Sequence, residues 1–128
     1  MSYQSDIFDA IGRSAVMQDL IGDRFCWDSA DGSTLPPYLV AQTISGDGET
    51  LHDSSRDWSF PLIQITCWAK TKSEAIAVMS AFRSEFEGIN LPGPSQVSLS
   101  YSGEQSSRDP ETRLYGEFID YRASTLTN

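Results

Sequence analysis

The sequence predicts an α+β domain: a mostly antiparallel sheet of four to five strands, with two amphipathic helices packed on it and a long acidic hairpin loop. Two windows repeat apolar residues at spacings of three and four, the period of a helix with one buried face. Between and after them lie short segments that alternate in twos or are rich in β-branched and aromatic residues, as strands are. The order of elements is helix, strands, helix, strands, with no repeated βαβ unit, which disfavours a parallel sheet. At 128 residues the chain fits one domain over positions 1–128, large enough to bury roughly two-thirds of the surface its unfolded form exposes. Neither an internal repeat nor a low-complexity tail interrupts it.

The first helix is expected from Ser5 to about Leu20, with Ile7, Phe8, Ile11, Ala15, Met17, Leu20 and Ile21 along its stripe. Ser5 or Asp6 is suited to cap its start and Gly22 to end it. Arg24 to Trp27 reads as a short strand and Asp28 to Ser33 as a polar turn. Pro36-Pro37 fixes an extended lead into a second strand from Tyr38 to Ile44. Gly46 to Asp57, with two glycines and four carboxylates, reads as an exposed hairpin loop. Leu62 to Ala69 alternates Ile63, Ile65 and Cys67 against Gln64 and Thr66, the pattern of a half-buried strand. Thr71-Lys72-Ser73-Glu74 has capping-box spacing. The helix it opens puts Ala75, Val78, Met79, Phe82 and Phe86 on one stripe and closes at Gly88. Two strands follow, Gln96 to Tyr101 and Arg113 to Arg122, separated by the turn signal Asp109-Pro110-Glu111-Thr112.

The formal net charge is −9, from 18 acidic and 9 basic residues. A balance of that sign repels phosphate, so tight nucleic-acid binding is not expected. Cys26 and Cys67 sit in strand segments without metal-ligand spacing and read as buried free thiols of a reducing compartment; a disulfide requires their strands to be neighbours. The N-terminal residues carry no signal-peptide pattern and no apolar run is long enough to span a bilayer, so a soluble, intracellular protein with no membrane partner is expected.

Catalysis is not expected either. The single histidine, His52, lies in the acidic loop, where with Asp53 and Asp57 it reads as a solvated side chain rather than a metal ligand. Glu117 and Asp120 fall on opposite faces of one strand, and Gly46-Asp47-Gly48 is followed by no βαβ unit, so neither an acid–base pair nor a dinucleotide cradle is formed. No cofactor is implied. Tyr38, Trp68 and Tyr121 read as core aromatics of the sheet, whereas Trp58, beside the charged loop, is the aromatic most suited to a contact surface.

Four pieces taken in order resemble the tail-terminator or tail-completion family of siphophages and related prophages. They are Leu20-Ile21-Gly22-Asp23-Arg24, Leu35-Pro36-Pro37-Tyr38-Leu39-Val40, Gln64-Ile65-Thr66-Cys67-Trp68-Ala69-Lys70, and Leu114-Tyr115 with Ile119-Asp120-Tyr121-Arg122. The resemblance runs from about Ile7 to Arg122; where the family often carries a basic residue after the Leu-Tyr pair, this chain has Gly116-Glu117. The matching residues Gly22, Arg24, Pro37, Tyr38, Trp68, Asp120 and Arg122 are expected to serve the fold first. The resemblance implies a non-enzymatic subunit of a ring, usually sixfold, that sits on the last disc of the major tail-tube protein. Such a ring stops polymerisation, offers the surface to which the head–tail connector attaches, and lets DNA pass. It implies a virion location at the head–tail junction after assembly in the host cytoplasm. Asp47, Glu49, His52, Asp53, Arg56, Asp57 and Trp58 are the expected partner-facing residues. Competing expectations are another neck protein, such as a head-completion or connector subunit, or an unrelated small cytosolic α+β binding domain or enzyme.

Overall fold

The computed structural model describes residues 3–30, 34–45, 50–53 and 56–126, with the backbone alone at 45, 50–53, 56 and 57. It is α+β, as expected. Three helices, α1 (Tyr3–Arg13), α2 (Ala15–Ile21) and α3 (Lys72–Phe86), accompany seven strand segments: β1 (Phe25–Trp27), β2 (Tyr38–Ser45), β3 (Thr50–Asp53), β4 (Arg56–Ser59), β5 (Leu62–Ala69), β6 (Ser98–Arg108) and β7 (Tyr115–Leu126). All pairings are antiparallel except β1 with β2.

The seven segments amount to five ribbons. β7 pairs Arg122 with Leu62 of β5, then Thr125 with Ser59 and Leu126 with Trp58 of β4, so β4 continues β5 across Phe60-Pro61. β3 continues β2 in the same way and pairs β4 from Thr50↔Ser59 to Asp53↔Arg56. Of the hairpin loop expected over Gly46 to Asp57, the described residues 50–53, 56 and 57 have strand backbone where a loop is expected; residues 46–49, 54 and 55 lie outside the described residues. A polar stretch carries no apolar alternation to announce a strand, and here the ladder itself sets the conformation.

The expected single N-terminal helix is two. Ser14 leaves the helical region (φ −78, ψ 119) and caps α2, accepting from Met17 N at 3.2 Å while donating to Glu85 Oε1 of α3 at 2.7 Å. A serine hydroxyl competes with the helical ladder for backbone donors, and here a partner 71 residues away fixes it in that role. Gly22 ends α2 with φ +61, as expected. Ser5 and Asp6 do not cap α1, which begins earlier. Asp6 is 2% exposed and its Oδ2 accepts from Ser95 N at 2.9 Å, tying α1 to the segment before β6.

The sheet buries one face. Leu39, Ala41, Ile63, Ile65, Cys67, Ala69, Leu99, Ile119, Tyr121 and Ala123 all point into one cluster with Ile7, Ile11, Met17, Ile21 and the α3 stripe. That stripe is Ala75, Val78, Met79, Phe82 and Phe86, as the periodicity predicts, and Thr71 Oγ1 accepts from Glu74 N at 3.2 Å at its start. Each large side chain removed from water stabilises by about 1.5–3 kcal/mol, so this inner face holds the layers together.

The turn at Asp109–Thr112 also forms as predicted, with Asp109 carboxyl oxygens accepting from Glu111 N and Thr112 Oγ1, both at 3.0 Å. β6 runs on to Arg108, beyond the expected Tyr101, and β7 to Leu126, beyond Arg122.

One position tests the α1 tie. Gly93 has φ +130, and a Cβ there would overlap the Asp6 carboxyl group. Gly93→Ala is expected to lower stability by about 2 kcal/mol, from backbone strain and loss of the Asp6–Ser95 hydrogen bond. In denaturant titrations its effect should be less than additive with Asp6→Ala.

Candidate functional site

Because strand side chains alternate, the residues between the core positions emerge on the other face of the sheet. They are Tyr38, Val40, Gln42 and Ile44 on β2, Gln64, Thr66 and Trp68 on β5, and Phe118, Asp120 and Arg122 on β7. The three helices pack on the opposite face. This bare face carries no helix but is not open throughout: Val40 and Thr66 are buried, Tyr38, Trp68 and Phe118 are half-buried, and it is more apolar than a solvated antiparallel sheet requires. Trp68 and Phe118 meet edge to face at 5.6 Å, and with Tyr38, Val40, Gln42 and Thr66 they line a cleft of about 300 Å³ bordered by Asp28, Ser29 and Ala30.

The tryptophan is held by an absence. A Cβ on Gly116 would lie 2.7 Å from the Trp68 ring and 2.9 Å from the Phe118 ring, closer than real contacts allow. Glycine at this strand position lets both rings lie down on the sheet. The cleft therefore offers ring faces and methyl groups, with an amide and hydroxyls as polar handles. Among the described residues no group of three or more His, Cys, Asp and Glu is placed to hold a metal ion.

The expectation that Tyr38 and Trp68 are core is corrected: both are half-buried on the bare face, and only Tyr121 of the three is fully buried in the core. Period-two alternation says that neighbours part company but not which face a helix will cover. The strands that carry apolar residues at both parities, as in Tyr38-Leu39-Val40-Ala41, are the available signal, and Val40, Ile44 and Phe118 join the site through it.

The remaining family-motif residues make hydrogen bonds within the fold. Arg24 Nε donates to Pro37 O at 3.0 Å and Leu39 N to Arg24 O at 3.0 Å, joining β1 to the start of β2 beside the cis Pro36-Pro37 bond. Asp120 Oδ1 accepts from Gln64 Nε2 at 3.1 Å across the β5–β7 pair, and Arg122 Nη1 donates to Phe60 O at 2.7 Å where β4 meets β5.

The partner-facing residues expected from the sequence fall on the β3–β4 arm. Asp47 and Glu49 lie outside the described residues. His52 pairs with Asp57 and Asp53 with Arg56 in the backbone register, while Trp58, half-buried, lies between Leu51 on one side and Leu126 on the other. Only Trp58 and Ser59 of β4 are held by β7; among the described strands, Arg56 and Asp57 pair with β3 alone. Among the described residues the arm thus meets β7 through Trp58 and Ser59. Residues 46–57 carry Asp47, Glu49, Asp53 and Asp57 against Arg56, an excess of negative charge.

Cys26 and Cys67 are free thiols. Burial, reinforced by the Glu74 and Glu117 carboxylates, pushes the Cys67 thiol up to about 12, because the thiolate would be desolvated beside negative charge. A thiol reagent at pH 8 is expected to leave Cys67 unmodified in the folded protein and to modify it once denaturant is added, read by peptide mass.

A family model described as "Tail completion protein gp17" matches residues 5–126. Among curated proteins no sequence matches. Among solved structures, a chain of the "Virion of native gene transfer agent (GTA) particle" superposes with a TM-score of 0.69 at 16% identity, covering 97% of this chain and 94% of that one. At that identity the likeness is one of fold.

Proposed function

Because the chain belongs to the tail completion protein gp17 family and is a structural protein of phage tails, we propose that it forms a ring, sixfold in the virion, on the end of the tail tube. There it ends polymerisation of the major tail-tube protein and presents the surface that the head–tail connector meets. The observation that carries this reading is a family match that runs from within α1 to the end of β7. The chain acts by shape: a rotationally symmetric ring has heterologous contacts around its circumference and two unlike faces. One face copies the binding surface of the next tube disc, and the other refuses a further tube subunit. No reaction is involved.

The β3–β4 arm is suited to the tube-facing or lumen-facing role. It joins β7 through Trp58 and Ser59 of β4, and Asp47, Glu49, His52, Asp53, Arg56, Asp57 and Trp58 give it polar and aromatic groups. The net charge of −9 keeps the ring from gripping DNA that passes through it. On this reading the protein is made in the host cytoplasm and ends in the virion at the head–tail junction.

A mixing assay separates a tail cap from a head-side neck protein. The purified chain is added to tails assembled without it and, separately, to DNA-filled heads. Binding at the tail end alone is expected; binding to heads alone would assign it to the connector side.

A further inference from the structure

We propose that the outer edge of β6 pairs antiparallel with the same edge of a second copy, giving a two-fold dimer of the free chain centred on Ser106. The proposal is independent of the ring reading above. β6 closes one side of the sheet and has β7 as its strand partner. Its other edge is covered at the start, where Gly88 N donates to Leu99 O at 2.8 Å and Asn90 bridges Ser98. From Tyr101 to Arg108 no described backbone pairs with that edge. These residues are exposed apart from half-buried Gly103, and the stretch has neither the proline nor the lysine that commonly blunt an edge.

The ladder decides which backbone groups face outward. On an antiparallel strand, alternate residues turn both N–H and C=O to the same neighbour. Leu99 O accepts from Gly88, so the backbone groups of Leu99 and Tyr101 face away from β7. The bulge between Tyr101 and Gly103 adds one residue and moves the outward set to Glu104, Ser106 and Arg108. Their side chains share the helix side of the sheet, opposite Ile119, Glu117 and Tyr115 in register. With Ser106 set against its own copy, Glu104 of each chain lies opposite Arg108 of the other. Each outward pair exchanges two backbone hydrogen bonds, so the three pairs give about six. The outer two also set opposite charges face to face, which favours the pairing. Neighbouring charges do not cancel this. Lys72 adds to the positive end beside Arg108, Arg83 beside Glu104 is already paired with Glu87, and Glu117 borders both ends alike. An acidic and a basic residue four apart make this edge complementary to itself when reversed, so charge selects a second copy as the occupant and fixes the register. Two copies of net charge −9 repel at long range, so the dimer is weak, with a dissociation constant of about 10–300 µM. A two-fold contact closes on itself and covers the edge without propagating.

Charge reversal tests the register. Glu104→Lys sets lysine against arginine at both outer pairs, and Arg108→Glu sets glutamate against glutamate. Both positions are exposed, so each variant should melt like the wild type. Sedimentation velocity is run on the full chain without tubes, up to about 1 mM. The wild type should approach the mass of two copies, and each variant alone should need roughly tenfold or more protein to do so. An equimolar mixture of the two variants should dimerise like the wild type, because lysine then meets glutamate and arginine meets glutamate. Ser106→Pro removes an outward N–H, leaves the β7 ladder intact and should stay monomeric, since edge strands tolerate proline. A wild type that stays monomeric throughout would overturn the proposal, and so would variants that associate as the wild type does. A mixture no better than either variant alone would overturn it too. A monomeric wild type whose binding to tube protein is lost in Ser106→Pro would give the edge to a strand of the tube protein instead.

Discussion

Deleting residues 46–57 is expected to leave a folded protein that no longer caps tubes. The described core cluster draws on the helices, on β1, β2, β5, β6 and β7, and on the segment before β6, and the β2–β5 ladder from Tyr38↔Trp68 to Ser45↔Leu62 remains intact. Thermal unfolding should therefore shift by only a few degrees, on the order of what a surface change costs. Removal of a docking element worth roughly 3 kcal/mol would weaken tube binding by about a hundredfold. In phage carrying the deletion, tails should lack a defined upper end and infectivity should fall by a similar factor. Full-length infectious tails at wild-type yield would count heavily against the role given to the arm.

The largest stability effect is expected at Phe82. It is fully buried, with its ring 4.9 Å from Phe86 and 5.9 Å from Tyr121, at the point where α3 presses on the middle of β7. Phe82→Ala removes that contact and leaves a cavity lined by rigid strands that cannot close over it. A loss of about 3–5 kcal/mol follows, or roughly 10–15 °C in the melting temperature of a domain this size. A loss under about 1 kcal/mol in denaturant titrations would mean that α3 is not packed as described. Taken together, the two variants separate capping from stability: the first removes function from a sound fold, whereas the second weakens the fold at a residue remote from the arm.

The two variants also differ in how far the sequence announces them. The α3 stripe and the β5 alternation were legible because periodic burial against one core leaves a periodic sequence. Residues Ser102 to Arg108 of β6 were not, since an edge strand is held by the β7 ladder and needs no apolar alternation of its own. The same physics hid the strands of the arm. Ser14 escaped because its capping role depends on Glu85, whose approach is a tertiary fact. At the site, Tyr38 and Trp68 were visible as aromatics of strands, but the face they occupy was fixed only when the helices took the other side. Gly116 had a physical reason that emerges from the two rings packed across it.

The most direct test of the central claim is the mass of the purified chain by light scattering, alone and then mixed with its phage's own tail-tube protein. A closed ring, or a stable complex in which tubes stop at a finite length, is the expected result. A monomer that leaves tube length and tube growth unchanged at every concentration would contradict it.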